Sequence, residues 1–201
     1  MKLIIIEGID CIGKDTLIKG IQEHFIKDYN VCIRHFGKPP KNLNTEDVLD
    51  FQFKCFENEV KLISNINTPG YYRYYDDLII WNRSHLGEYV YSQMFRGGNA
   101  QDLKYKLLNF EHWHLENFMF GTYLITLTAD PQFALSKEDG QSFSQNFEQK
   151  TKELELFKEI HEFSTIKNKI IIKVDEWNTV IKSGKLEEEY EGYIFRSKKK
   201  Y

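Results

Sequence analysis

The segment Gly8-Ile9-Asp10-Cys11-Ile12-Gly13-Lys14-Asp15-Thr16 constrains this chain more than any other part of it. It follows the apolar run Leu3-Ile4-Ile5-Ile6 and opens a helical pattern carried by Leu17, Ile18, Ile21 and Phe25. Strand, glycine loop and helix in that order, with Gly8, Gly13 and Lys14 at the P-loop spacing, describe a phosphate-binding turn. Glycines let the backbone turn tightly and approach an anion. The loop amides then meet the anion at a helix N-terminus, where the dipole favours negative charge. Lys14 adds a cation for the outer phosphates. The loop residues Gly8, Asp10, Cys11, Ile12, Gly13, Lys14, Asp15 and Thr16 are therefore the candidate ATP-phosphate ligands. The position after the lysine, where Ser or Thr ordinarily offers a hydroxyl to Mg²⁺, holds Asp15, with Thr16 one place later.

The remaining pattern reads as strands alternating with helices. Strands are expected at 2–8, 31–36, 77–81, 122–128 and 169–174. Helices are expected from 14 to 25 or 27, over 46–65, from 84 to 95, over 101–118 and over 147–163. Residues 137–144 are polar, contain Gly140, and read as a mobile lid. Alternation of this kind implies a doubly covered parallel sheet, with the ligand at the carboxyl ends of the strands. The expected fold is α/β: a P-loop NTPase-type three-layer domain over 1–201, with five parallel strands, helices on both faces, a short lid and a basic tail at 196–201.

Composition narrows the function classes. A formal net charge of −3 gives no global basic field for nucleic acid. The lysines 198–200 are the one hint of a basic track. Cys11, Cys32 and Cys55 have no metal or redox spacing, and their odd number argues against a disulfide framework. The N-terminal apolar run is four residues long and stops at Glu7, unlike a signal peptide. No stretch approaches the roughly 18 apolar residues that span a bilayer. A cytoplasmic location and no membrane partner are expected.

A second constellation, Asn82-Arg83-Ser84-His85-Leu86-Gly87-Glu88-Tyr89-Val90-Tyr91, follows the third strand. An arginine at a strand end beside a P-loop can clamp a second phosphate through its planar fork. With Asp10 and Thr16 in the loop, and with His35-Phe36-Gly37-Lys38-Pro39-Pro40, this segment resembles the thymidylate kinase family of P-loop nucleoside monophosphate kinases, especially its divergent phage-type members. The resemblance covers residues 1 to about 176. It implies ATP-dependent phosphorylation of a deoxynucleoside monophosphate, dTMP foremost, with ATP and Mg²⁺ as cofactors and a homodimer as the assembly.

Carried over by position, the resemblance makes Lys14, Arg83 and Asp15 the catalytic residues. Asp10 would approach a 3′-hydroxyl, Arg83 would bind the acceptor phosphate, and Lys38 would assist. Gln52 would read the edge of the acceptor base and Phe53 or Phe56 would stack on it, although helical apolar spacing predicts core for both rings. Asp15 would contribute oxygen to Mg²⁺. The chain departs from the family at Asp15, at Asn82 in place of an aspartate, at Cys11, which is not a cation, and in the lid, where Lys137 stands against Glu138 and Asp139. The missing charge would come from Arg73, Arg96 or Lys38. Other acceptors, namely a modified pyrimidine nucleotide, a nucleoside or a modified base in DNA, and a weakly catalytic nucleotide binder are the alternatives.

Overall fold

The computed structural model describes residues 2–40, 43–65, 77–116 and 121–174. Arg73, the turn at Pro69-Gly70, the acidic run at 187–189 and the basic tail at 196–201 lie outside the described residues. Five strands, β1 (Lys2–Glu7), β2 (Asn30–His35), β3 (Asp77–Asn82), β4 (Thr122–Thr128) and β5 (Asn168–Lys173), form one sheet in the order β2-β3-β1-β4-β5. Every pairing is parallel. The central strand β1 is almost entirely isoleucine and leucine, and Leu3, Ile4, Ile5 and Ile6 are fully buried, because helices cover both faces.

The helices are α1 (Lys14–Phe25), α2 (Thr45–Asn65), α3 (His85–Phe95), α4 (Ala100–Phe110), α5 (Pro131–Ser136) and α6 (Phe147–Phe163). Their starts follow local chemistry. Asn44, Ser84, Asn99, Asp130 and Asn146 each accept a first-turn backbone N–H, satisfying donors that the helix itself cannot. α1 differs: it starts at Gly13, in the left-handed region at φ 95°, which has no side chain to cap it.

Two elements depart from the sequence reading. The helix expected over 101–118 is α-helical only to Phe110, and Glu111–Leu115 form a π-helical turn. Glu111 is the reason visible in the contacts. Its buried carboxylate accepts from Ser164 Oγ, Thr165 N and Thr165 Oγ1 at 2.6–2.8 Å, and His85 Nε2 lies 3.4 Å away. Those partners come from α3 and the α6–β5 connection, 26 to 54 residues distant, and are invisible to helical periodicity. Asp130-Pro131 does end β4, as expected, but it also starts the short α5. Asp130 caps the helix and Pro131 occupies its first turn, where a missing N–H costs nothing.

Candidate active site

The P-loop, the end of β3 and the polar loop after α5 meet beyond the carboxyl end of β1. The Gly8 backbone has φ 138°, and a Cβ placed there would lie 2.7 Å from the Leu127 carbonyl oxygen of β4. Only glycine lets the loop leave the sheet this close to its neighbour. Cys11 also takes a left-handed backbone, at φ 64°, which is uncommon for a residue with a side chain. Ile12 turns inward and is buried beneath the loop, whereas Asp15 and Thr16 are exposed on the first turn of α1.

Lys14 is 7% exposed and folds back over the loop. Its ammonium donates to the carbonyls of Gly8 at 2.8 Å and Ile9 at 2.6 Å, and lies 3.4 Å from Asp10 Oδ1. The same Asp10 oxygen accepts from the Arg83 guanidinium. Arg83 itself has φ 69°, and its N–H bonds to the Ile6 carbonyl of β1 at 3.1 Å. A backbone bend and a strand contact therefore aim this side chain at the loop. Burial pushes the Asp10 carboxyl up, but Lys14 and Arg83 outweigh it and hold the group below its ordinary value. Burial lowers the Lys14 ammonium and Asp10 only partly restores it. For Arg83 burial works the same way, but Asp10 wins and the guanidinium stays charged.

Asp15 Oδ1 accepts from Asn82 Nδ2 at 2.7 Å. Asn82 is buried, and its own Oδ1 has no hydrogen-bond partner among the described residues. A carboxylate and an unsatisfied amide oxygen thus share one end of the loop. Both are hard oxygen donors of the kind Mg²⁺ takes, so these residues fit that ion.

Glu7, Ser84 and Glu138 join the site, although the sequence reading gave none of them a role there. Glu7 closes β1, is 1% exposed, and accepts from Ser84 Oγ at 2.6 Å. Burial pushes its carboxyl up to about 7 against the opposing pull of Ser84, Lys14 and Arg83. The signal in the sequence was a lone acid ending an otherwise apolar buried strand. Glu138 lies in the polar loop. It accepts from the N–H groups of Gly140 and Ser142, and its Oε2 is 2.6 Å from the ammonium of Lys150, a fully buried residue of α6. Although Glu138 is partly buried, these partners pull its carboxyl down to about 2.

The loop over 137–144 packs onto the site. Cys11 Sγ is 3.7 Å from Ser142 Oγ, and Lys38 donates to the Gln141 carbonyl at 2.9 Å with its ammonium 4.6 Å from the Phe143 ring centre. Lys137 turns away, onto the Phe133 ring of its own helix. Arg96 is paired with Glu88 at 2.8 Å. Gln52 is buried and donates to the Gly37 carbonyl at 3.2 Å. Phe53 and Phe56 lie in the core, where Phe56 meets the rings of Phe36, Trp81, His85 and Phe110. His85 pairs with Glu111 rather than with the arginine beside it, and burial keeps its imidazole below the ordinary pKa.

Solved structures share this arrangement of sheet, helices and loop. A thymidylate kinase from Candida albicans superposes with a TM-score of 0.58 at 17% identity, over 92% of this chain and 93% of that one. The chain has a P-loop NTPase-type three-layer α/β fold. A YorR protein from Bacillus subtilis, solved with phosphorylated GDP, gives a TM-score of 0.54 at 18% identity over 92% and 96% of the two chains. Deoxyadenosine kinase from M. mycoides, with the products dCMP and dCDP, gives 0.56 at 15% identity over 93% and 99%. No protein-family model and no curated protein matches the sequence.

Proposed function

We propose that this protein is a nucleoside monophosphate kinase that transfers the γ-phosphoryl group of ATP to a deoxynucleoside monophosphate, with dTMP the favoured acceptor. One observation carries the reading: a single carboxylate, Asp10, is shared by the P-loop lysine and by Arg83 at the end of β3. Two cations that converge on one internal anion can hold two phosphates side by side, one on the donor loop and one on the acceptor arginine. The structural neighbours named for thymidylate and deoxynucleoside kinases point to the same chemistry.

Phosphoryl transfer needs positioning and charge stabilisation more than covalent chemistry. In the proposed cycle Lys14 exchanges the Gly8 and Ile9 carbonyls for donor phosphate oxygens, and the first-turn amides of α1 receive the same phosphates. Arg83 leaves Asp10 for the acceptor phosphate. An oxygen of that phosphate attacks the γ-phosphorus, the bond to the ADP oxygen breaks, and ADP leaves. Asp10, released from both cations, is free to accept from a 3′-hydroxyl. Asp15 and Asn82 would hold Mg²⁺, which supplies charge neutralisation to the phosphates when bound. Lys38 sits between the loop after β2 and the lid, where it can add positive charge on the acceptor side. We place the enzyme in the cytoplasm, acting as a homodimer on small nucleotides rather than on nucleic acid. No helix among the described residues is long and apolar enough to cross a membrane.

A second reading, nucleotide binding with little turnover, is favoured by one specific feature. Glu138 and Asp139 bring their carboxylates within 4.8 Å of the Cys11 sulfur, so the lid presents acid rather than arginine to the donor loop. An ADP-release assay with ATP and Mg²⁺ against dTMP, dUMP, 5-hydroxymethyl-dUMP, dCMP, dGMP, dAMP, thymidine and duplex DNA separates the two. Turnover with one deoxynucleoside monophosphate supports the kinase and names its acceptor. ATP binding by calorimetry with no turnover across the panel supports the binder.

A further inference from the structure

Glu7 is a deeply buried acid beside Lys14 and Arg83 to which the proposed reaction assigns no task. Its place is set by the sheet: it is the last residue of β1, paired in register with Thr126 of β4. One oxygen accepts from Ser84 Oγ, which in turn accepts from the Leu86 N–H at the start of α3. The other oxygen, Oε2, makes no well-formed hydrogen bond among the described residues and lies 3.6 Å from where a Cβ on Gly87 would stand, although the Gly87 backbone N–H also acts on the carboxyl and favours its ionised form. A side chain at Gly87 would make an ordinary contact with this carboxyl, which fixes how closely the start of α3 covers it. Ser84 directly follows Arg83, so the Glu7–Ser84 bond anchors the bend from which Arg83 reaches the loop.

The charges facing Glu7 come from two directions. Lys14 at the start of α1 and Arg83 at the end of β3 both act on it electrostatically. Asp10 lies across those two cations, and Glu153 of α6 and Tyr91 of α3 complete the buried polar layer through their own interactions with Lys14, Asp10 and Arg83. Free of ligand, the two cations stabilise an ionised Glu7. Phosphate oxygens arriving at Lys14 and Arg83 bring several negative charges to the same cations. A carboxylate already poor in donors and cut off from water then loses its counter-charges.

We propose that Glu7 is a proton-exchanging positioning residue of this site: it anchors Arg83 through Ser84 and takes up a proton when phosphate oxygens occupy Lys14 and Arg83. The inference rests on the proposed function only in treating those two cations as phosphate ligands. The protonated carboxyl turns from a charge into a hydrogen-bond donor, which leaves the net charge beside the bound phosphates less negative. Because the free carboxyl titrates near 7, the uptake falls in the neutral range.

Calorimetric titration of the full chain with ATP and Mg²⁺, and separately with dTMP, in buffers of contrasting ionisation enthalpy reads this proton directly. The wild type is expected to take up as much as about three-quarters of a proton more than Glu7→Gln at pH 7.5, the share of a carboxyl titrating near 7 that is ionised there, and the difference is expected to vanish by about pH 5, where Glu7 is protonated before binding. Ser84→Ala removes a donor that favours the ionised form. It is expected to move the uptake to higher pH and to raise the acceptor KM about tenfold while the ATP KM changes less. Equal uptake by wild type and Glu7→Gln, or an unchanged uptake profile in Ser84→Ala, overturns the inference. Proton uptake without any turnover overturns the kinase reading and leaves Glu7 in its role. Absence of phosphate binding overturns both.

Discussion

Gly8, Lys14, Asp10 and Arg83 are held by contacts that make single substitutions informative. Gly8→Ala places a methyl group 2.7 Å from the Leu127 carbonyl at a backbone angle that side chains rarely adopt. A loss of about 2 kcal/mol or more is expected from strain alone, measured by denaturant unfolding. Lys14→Ala is expected to leave the fold intact and abolish turnover; retained activity would remove the loop from the mechanism. Arg83→Ala is expected to raise the acceptor KM and lower kcat with little change in ATP binding, and unchanged kinetics would make the arginine structural. Phe56 discriminates differently. Its ring is 1% exposed among five aromatic neighbours, so Phe56→Ala should cost about 3–5 kcal/mol of stability. A variant that keeps its stability and loses only acceptor affinity would return this ring to the base-stacking role that the family resemblance implies.

The lid shows how one element resolves a shortage that its own letters suggest. Residues 137–144 carry one lysine and two acids, and Lys137 packs on Phe133. Cations from elsewhere meet the loop instead: Lys38 from the loop after β2, and Lys150 of α6, fully buried against Glu138. The Lys150–Glu138 pair shapes the loop: Glu138 also gathers the Gly140 and Ser142 N–H groups, and Ser142 contacts Cys11. Replacing one partner leaves a buried charge, so Glu138→Gln should destabilise the protein by about 3 kcal/mol at neutral pH. The Glu138 carboxyl is depressed in the folded state, so its contribution is present above about 4.5 and is lost as pH falls toward about 2. Melting temperatures of wild type and variant should therefore converge on acidification. A constant gap at all pH values would show that packing, and not the charge pair, was lost.

The molecule as a whole carries an electrostatic cost at the centre of its sheet. The Glu7 carboxyl is raised from 4.5 to about 7 in the folded state, so the folded protein binds more protons there than the unfolded chain between those values. Stability is therefore fully retained with respect to this group below about 4.5 and falls as pH rises toward and past 7. Glu7→Gln should melt higher than wild type at pH 8 and no higher at pH 4.5. A variant less stable at both pH values would show that the Ser84 bond to the carboxylate outweighs the cost of burying it. A buried acid that costs stability yet sits beside the two cations proposed to bind phosphate is the pattern expected where local structure answers to function.

Much of this architecture is written in local patterns. Isoleucine-rich runs of strand length, helical apolar spacing, capping residues and the loop glycines determine β1, α1, the alternating order and the place of the P-loop, because each depends on interactions within a few residues. Its place at a strand end marked Arg83 and the family resemblance gave Asp10 its expected role, but their convergence was not legible in spacing because 73 residues separate them. The same is true of the π-helical turn, which answers to partners on α3 and after α6, and of Lys150, whose burial depends on where the lid folds. Periodicity placed Phe56 on an apolar face but could not distinguish core from base platform; rings from the β2 end, β3, α3 and α4 decide that it packs in the core. Glu7 makes the division plainest. The sequence marks an acid at the end of a strand, but only the assembled sheet buries it, gives it the Ser84 hydroxyl as a donor and sets it beside two cations. Dehydration and charge proximity are properties of three-dimensional neighbours, and the chain acquires them only on folding.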